Sequence, residues 1–100
     1  MSQHGFTRQE ITDIVSAAIA ESLRLSGREV PPFTQKVKPL KDIAGFDSPL
    51  GVEVTVDLEI QLGIDLPNNI FIKTVNGQDR ARSFIEVVDV LYRVLESKGE

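Results

Sequence analysis

A short polar segment, Asp47-Ser48-Pro49, stands where an amphipathic helix should begin, and it is the best candidate for chemistry in this sequence. A serine at a helix start can be a simple cap, because its hydroxyl accepts a hydrogen bond from a backbone N–H of the first turn. It can also be an attachment point, since the unpaired N–H groups and the helix dipole favour a phosphate there. The residue types alone leave both interpretations open.

Other reactive side chains are scarce in this chain of 100 residues. There is no cysteine, which excludes disulfides, thiolate metal sites and a thiol nucleophile made by the chain itself. The single histidine, His4, falls within residues 1–6, which we expect to be frayed, so a Ser-His-Asp arrangement is disfavoured. The pattern contains no general base, metal cluster or phosphate loop, and we predict a protein that is not an enzyme and binds no metal.

The charged residues are unevenly distributed along the chain. Acidic residues outnumber basic ones by 15 to 11, a formal net charge of −4, which argues against a nucleic-acid partner. No basic residue occurs between Lys41 and Lys73, whereas six acids do: Asp42, Asp47, Glu53, Asp57, Glu59 and Asp65. This acidic block indicates either a solvated face or a surface that docks basic partners.

The length and hydropathy of the chain predict one small domain over residues 1–100. No apolar run approaches the roughly 18 residues that a membrane-spanning helix needs. The N-terminus has no basic region followed by an apolar stretch, which a signal peptide would require. We therefore expect a cytoplasmic monomer that does not insert into membranes.

Two capping boxes mark the starts of the first and last helices. Thr7 is followed three residues later by Glu10, and Ser83 is followed three residues later by Glu86. The apolar spacing that follows them predicts helices at about 8–25 and 84–97.

The middle helix should begin at Ser48 and run to about Leu62, with Pro49 in the first helical position, where its missing N–H is harmless. At 100° per residue, four apolar residues form one stripe that should face the core: Leu50, Val54, Leu58 and Leu62. Three more form a second face, which is either covered by a loop or left as a docking patch: Val52, Val56 and Ile60.

The two long connections are expected to be irregular. Prolines interrupt residues 27–47, which should form a loop without regular structure. Its apolar side chains should pin it to the core: Val30, Phe33, Val37, Leu40, Ile43 and Phe46. Within residues 65–82, Asn76-Gly77 suggests a β-hairpin turn, but the returning segment QDRAR is too polar for a convincing strand. We predict a short helical turn or an irregular segment there.

Residues 42–67 resemble the acyl carrier protein family at its signature. In that family an Asp-Ser-Leu tripeptide opens the second helix, with Val-Glu four and five residues after the serine. Here Asp47-Ser48 is followed by Val52-Glu53, and the flanking DIAGFDS and GVEVTVDLEIQLGIDLP also look like the family. The resemblance implies an all-α fold, a small antiparallel four-helix bundle with a short third helix and a long ordered loop between helices 1 and 2.

The resemblance also implies a function. Ser48 matches the position that carries a 4′-phosphopantetheine arm, which a phosphopantetheinyl transferase attaches from coenzyme A, and Asp47 matches an acid that aids this recognition. The arm holds acyl groups as thioesters and presents them to an acyl-loading ligase or synthase and to acyltransferases. Positions that match partner-binding residues are Val52, Glu53, Val56 and Glu59. Positions that match the core or an acyl-chain channel are Leu50, Val54, Leu58 and Leu62.

Pro49 departs from the family pattern, which has an exposed docking leucine at this partner-binding position. With the extended last helix, it indicates a specialised carrier in a lipid, lipopolysaccharide or polyketide pathway. Two alternatives stay open. One is an unmodified adaptor that binds partners through the middle helix, with Ser48 only a cap. The other is an aminoacyl or peptidyl carrier.

Overall fold

The computed structural model describes residues 5–32 and 34–99, so the expectations for His4 and Phe33 concern residues outside it. The described residues form four helices and two strands. In chain order these are α1 (Arg8–Leu25), α2 (Pro39–Asp42), α3 (Ser48–Leu62), β1 (Ile72–Val75), β2 (Gln78–Ala81) and α4 (Phe84–Gly99). The fold is mostly helical, but its small sheet corrects the prediction of a purely all-α protein.

Both predicted capping boxes are formed. The Thr7 hydroxyl accepts the Glu10 N–H at 3.1 Å, and the Glu10 carboxylate accepts the Thr7 N–H at 2.9 Å. Ser83 and Glu86 make the same exchange at the start of α4, at 3.3 and 2.9 Å. The predicted bounds of the first helix are confirmed, and α4 runs past the predicted end at residue 97 to Gly99.

The hydrophobic core is built from one face of each long helix, with α1 packed against both α3 and α4. The core residues of these three helices follow helical spacing: Ile11, Val15, Ala18, Ile19, Leu23, Val54, Leu58, Leu62, Phe84, Val87, Val88, Leu91 and Leu95. Phe46 and Phe71 join them from the connections and meet edge to face, with their ring centroids 5.1 Å apart. The loop before α3 and the segment after it are therefore tied to the same core.

The long loop between α1 and α3 is packed on the core, as predicted, but it also contains α2. Pro39 occupies the start of this short helix, where a proline needs no hydrogen-bond acceptor and its ring meets no preceding turn. Asp42 accepts the Lys38 N–H at 2.8 Å and closes the turn. The prediction that prolines prevent regular structure throughout this loop is therefore wrong.

The same loop also satisfies the first turn of α4. The Phe84 N–H donates to the carbonyl of Val37 at 2.7 Å, and the Ile85 N–H donates to the carbonyl of Gln35 at 2.9 Å. A helix leaves its first N–H groups without intrahelical partners, and here the loop supplies acceptors for two of them.

Residues 72–81 form a β-hairpin, which corrects the predicted short helix or irregular segment. Asn76 and Gly77 both have positive φ, +52° and +78°, as the tight two-residue turn of a hairpin requires. Pairing runs antiparallel from Val75 opposite Gln78 to Ile72 opposite Ala81. The polarity of the return strand is no obstacle, because three of its four residues are exposed to solvent.

Candidate functional site

The start of α3 is capped by Asp47 and not by Ser48. The Asp47 carboxylate accepts the Leu50 N–H at 3.1 Å, and its carbonyl accepts the Gly51 N–H at 3.0 Å. Pro49 has no N–H to offer. Ser48 is the first helical residue and is exposed, so its interpretation as the cap is wrong.

This capping also changes the electrostatic environment of Ser48. The sequence predicts unpaired N–H groups around its hydroxyl. Instead, Leu50 and Gly51 already donate to Asp47, and Pro49 lacks a donor. The dipole of α3 still favours negative charge at this end, but the first turn contributes few of the N–H groups that usually hold a phosphate.

One side chain from outside α3 reaches Ser48. The Asn69 amide nitrogen lies 3.2 Å from the Ser48 carbonyl oxygen and 3.5 Å from its hydroxyl oxygen. The Asn69 amide oxygen accepts the Phe71 N–H at 3.0 Å. Asn69 is only 9% exposed, so the segment before the hairpin is held against the start of α3.

Gly51 and Thr55 make this close approach possible. A Cβ at Gly51 would lie 2.8 Å from both polar atoms of the Asn69 amide, which no side chain tolerates without a shift. The Thr55 hydroxyl donates to the Gly51 carbonyl at 2.7 Å and accepts the Ile70 N–H at 3.0 Å. The sequence analysis did not identify Gly51, Thr55 or Asn69 as site residues. The available signal for a close contact at this helix was a glycine and a threonine one turn apart among apolar residues.

The two apolar faces predicted for the middle helix are both present in α3. Val54, Leu58 and Leu62 are buried in the core, and Leu50 packs against it partly buried. On the other face Val56 is 47% exposed and Ile60 is 76% exposed. Within the part of the chain that the structure describes, no loop covers these two side chains.

Four of the predicted partner-binding residues are at least partly exposed to solvent. No hydrogen bond or ion pair of their side chains is described. Pro49, Glu53 and Val56 are exposed, and Val52 is half-buried. Glu59 differs, because its carboxylate accepts the Leu66 N–H at 2.8 Å and fastens the segment after α3. Glu59 therefore has a structural contact in addition to its predicted role.

Two open grooves flank α3. One, of about 480 Å³, lies between α1 and α3 and has the exposed Leu25 at its edge with Glu21, Glu53 and Asp57 along its walls. The other, of about 650 Å³, lies at the end of α3 beside α4 and includes Ile60 and Val94. Both grooves combine apolar and acidic side chains.

Two further features were expected to be absent, a metal site and a membrane-spanning helix. Within residues 5–32 and 34–99, no group of three or more His, Asp or Glu side chains is placed to hold a metal ion. None of the helices that the structure describes has the length and apolar character that crossing a membrane requires.

Comparison with known proteins adds no relative. No protein-family model matches the sequence, and no curated protein or solved structure is significantly similar to it. Any functional assignment therefore depends on the residues and geometry of this chain.

Proposed function

We propose that this protein is a carrier whose Ser48 bears a 4′-phosphopantetheine arm and which presents acyl groups to partner enzymes. The observation that carries the proposal is the exposure of Ser48 in the first turn of α3, immediately after the capping Asp47. The sequence around it resembles the acyl carrier signature from residue 42 to residue 67. The exposure supports access by a modifying enzyme, and the sequence pattern supports the identity of the modification.

The local residues fit such a group. A phosphopantetheinyl transferase would join the arm to the Ser48 hydroxyl and release adenosine 3′,5′-bisphosphate from coenzyme A. The α3 dipole favours the resulting phosphodiester, and the Asn69 amide lies within 3.5 Å of the attachment oxygen. The arm would supply a terminal thiol, which can hold an acyl group as a thioester and which a cysteine-free chain lacks.

The rest of α3 suits the presentation of cargo to other proteins. Glu53 and Asp57 are exposed and lie one turn apart, so they would attract basic docking surfaces. Val56 and Ile60 would supply the apolar contact. The partners in this proposal are the transferase, an acyl-loading ligase or synthase, and acyltransferases of a specialised lipid, lipopolysaccharide or polyketide pathway.

The test is incorporation of a fluorescent coenzyme A analogue by a broad-range transferase, followed on a denaturing gel. We expect one label on the wild-type chain and none on Ser48→Ala. Ser26→Ala, which removes another exposed serine hydroxyl, is the matched control and should label like the wild type. Label on Ser48→Ala would remove the assignment of the site.

An unmodified adaptor is the second candidate, and two observations favour it. A β-hairpin stands where the carrier resemblance implies a short third helix. Pro49 also stands where that family has a docking leucine. An adaptor would use Val56 and Ile60 to bind its partner, and wild type and Ser48→Ala would bind equally well.

A further inference from the structure

The Ser48 hydroxyl has an unusual set of neighbours for a candidate attachment site. Two first-turn N–H groups, those of Leu50 and Gly51, donate to Asp47, and Pro49 has none. The Asn69 amide nitrogen is the side-chain donor that the described residues bring to the hydroxyl, at 3.5 Å. Within α3 the described bonds leave the N–H of Ser48 itself, and Asn69 adds a donor from outside the helix.

The orientation of the Asn69 amide is fixed by its other contacts. Its oxygen accepts the Phe71 N–H, and this requires the nitrogen to point towards α3. The absence of a side chain at Gly51 gives the amide its space, and Thr55 holds the following residue by accepting the Ile70 N–H. Because Asn69 is also nine-tenths buried, it cannot swing freely into solvent.

The amide nitrogen carries two hydrogens and lies near two oxygens of Ser48. It is 3.2 Å from the carbonyl oxygen and 3.5 Å from the hydroxyl oxygen, and the second distance is long for an N–H···O bond. The contact with the hydroxyl is therefore weak in the unmodified protein. It would become stronger if negative charge developed beside that oxygen.

We propose that Asn69 is a positioning residue for Ser48. It orients the hydroxyl before modification, and its second N–H donates to the phosphoryl group once that group is attached. This inference rests on the proposed function of Ser48. It assigns a role to Asn69, which lies outside residues 42–67, the segment that resembles the carrier signature.

The kinetic test compares Asn69→Asp with Asn68→Asp in the full chain. Asn69→Asp keeps the acceptor for Phe71 but replaces the amide donor by a carboxylate. Asn68→Asp makes the same charge change at the exposed neighbouring residue. With a broad-range transferase and coenzyme A, we expect Asn69→Asp to lower kcat about tenfold with little change in KM, as loss of a charge-assisted bond predicts. The control should stay near wild type.

A second measurement needs no variant and therefore no assumption that Asn69→Asp folds. In ¹H–¹⁵N spectra of the wild-type chain, the side-chain amide signals of Asn69 should shift on modification. Those of Asn68 and Asn76 should move much less, since both residues are exposed and neither has a described bond to Ser48.

The outcomes separate this inference from the function on which it rests. If the wild type is never modified, the proposed function and the role of Asn69 both fail. If the wild type is modified but the Asn69 amide signals do not move, the inference alone is overturned. A folded Asn69→Asp chain with wild-type kcat would also overturn it.

Discussion

Asp47 and Ser48 divide between them the two roles available at a helix start. Asp47 supplies both its carboxylate and its carbonyl to the first turn of α3. Ser48 is exposed, and its hydroxyl is not needed to cap the helix. The adaptor hypothesis, in which Ser48 is only a cap, therefore loses its structural reason for a serine at this position.

The division of roles predicts different stabilities for the two alanine variants. Asp47→Ala should lower the free energy of unfolding by about 1 kcal/mol, because the Leu50 N–H loses its acceptor. Ser48→Ala should cost clearly less. Asp47→Asn, which can still cap, is the control, and urea denaturation gives all three values. Equal losses at the two positions would contradict the assignment of the cap.

Part of this site could be read from the sequence, and part could not. The start of α3 at residue 48 and its two apolar faces follow from local order and helical spacing, whereas the identity of the cap, Asp47 instead of Ser48, does not. The contact of Asn69 with Ser48 joins residues 21 positions apart and has no periodicity to reveal it. It depends on how the hairpin segment docks on Gly51, which is a tertiary packing event.

At the level of elements, the three long helices are predictable because each carries its own start signal, whereas the short α2 has no side-chain cap. The bounds of α1 and α3 are as predicted, since Thr7, Asp47 and Gly63 act through bonds within a turn of the chain. The apolar pattern does not predict the hairpin, because its return strand is polar. A two-stranded ribbon needs cover on only one face, so an exposed polar strand is compatible with it.

The second prediction concerns the turn of the hairpin. Gly77 has a φ of +78°, and a Cβ added there meets nothing within 4 Å, so any penalty comes from the backbone alone. Gly77→Ala should destabilise the protein by about 1 kcal/mol or more. Gln78→Ala, at the exposed neighbour, should change the stability by about 0.5 kcal/mol at most. A Gly77→Ala chain as stable as the wild type in thermal unfolding would argue against this turn.

The third prediction concerns the contact between β1 and α4. Lys73 bonds to the Glu86 carboxylate at 2.7 Å, and this bond, helped by the Ser83 N–H, lowers the pKa of Glu86 from 4.5 to about 2. A folded-state pKa below the unfolded one stabilises the fold above pH 4.5, and this contribution disappears as the pH falls from 4.5 to about 2. Both side chains are about one-third exposed, so screening keeps the contribution near 1 kcal/mol or less.

Glu86→Gln tests this contact, because glutamine can keep the capping box while losing the charge. Unfolding measured from neutral pH down to about pH 2 should show the wild type more stable above pH 4.5 and the two chains converging towards pH 2. Lys73→Met should raise the pKa of Glu86 in an NMR titration of its carboxyl carbon. A constant difference between wild type and Glu86→Gln at all pH values would contradict the account.

At the level of the whole molecule, the charge distribution separates α3 from the rest of the chain. The interval from Asp42 to Ile72 contains no basic residue, and Glu53 and Asp57 project from it into solvent beside exposed apolar side chains. Glu59 is partly occupied by its bond to Leu66, so it contributes less freely to such a surface. This interval carries a formal charge of −6, whereas the rest of the chain carries +2, so the acidity is concentrated in the segment that contains the proposed attachment site.

Reversing this charge should slow the encounter with basic partners. Glu53→Lys combined with Asp57→Lys should lower the association rate with the transferase about tenfold at low salt, with a smaller effect at high salt. Glu29→Lys, at an exposed acid in the loop after α1, is the control and should change the rate much less. Stopped-flow association at two ionic strengths gives the comparison. An unchanged rate would mean that the acidity serves solvation only.

The most direct test of the carrier proposal is the intact mass of the wild-type chain together with titration of its thiols. Both are measured before and after incubation with coenzyme A and a broad-range phosphopantetheinyl transferase. The chain has no cysteine, so the thiol background is zero. The account predicts a gain of one phosphopantetheine and one titratable thiol per chain. No gain with several transferases would contradict it and would leave the unmodified adaptor as the better description.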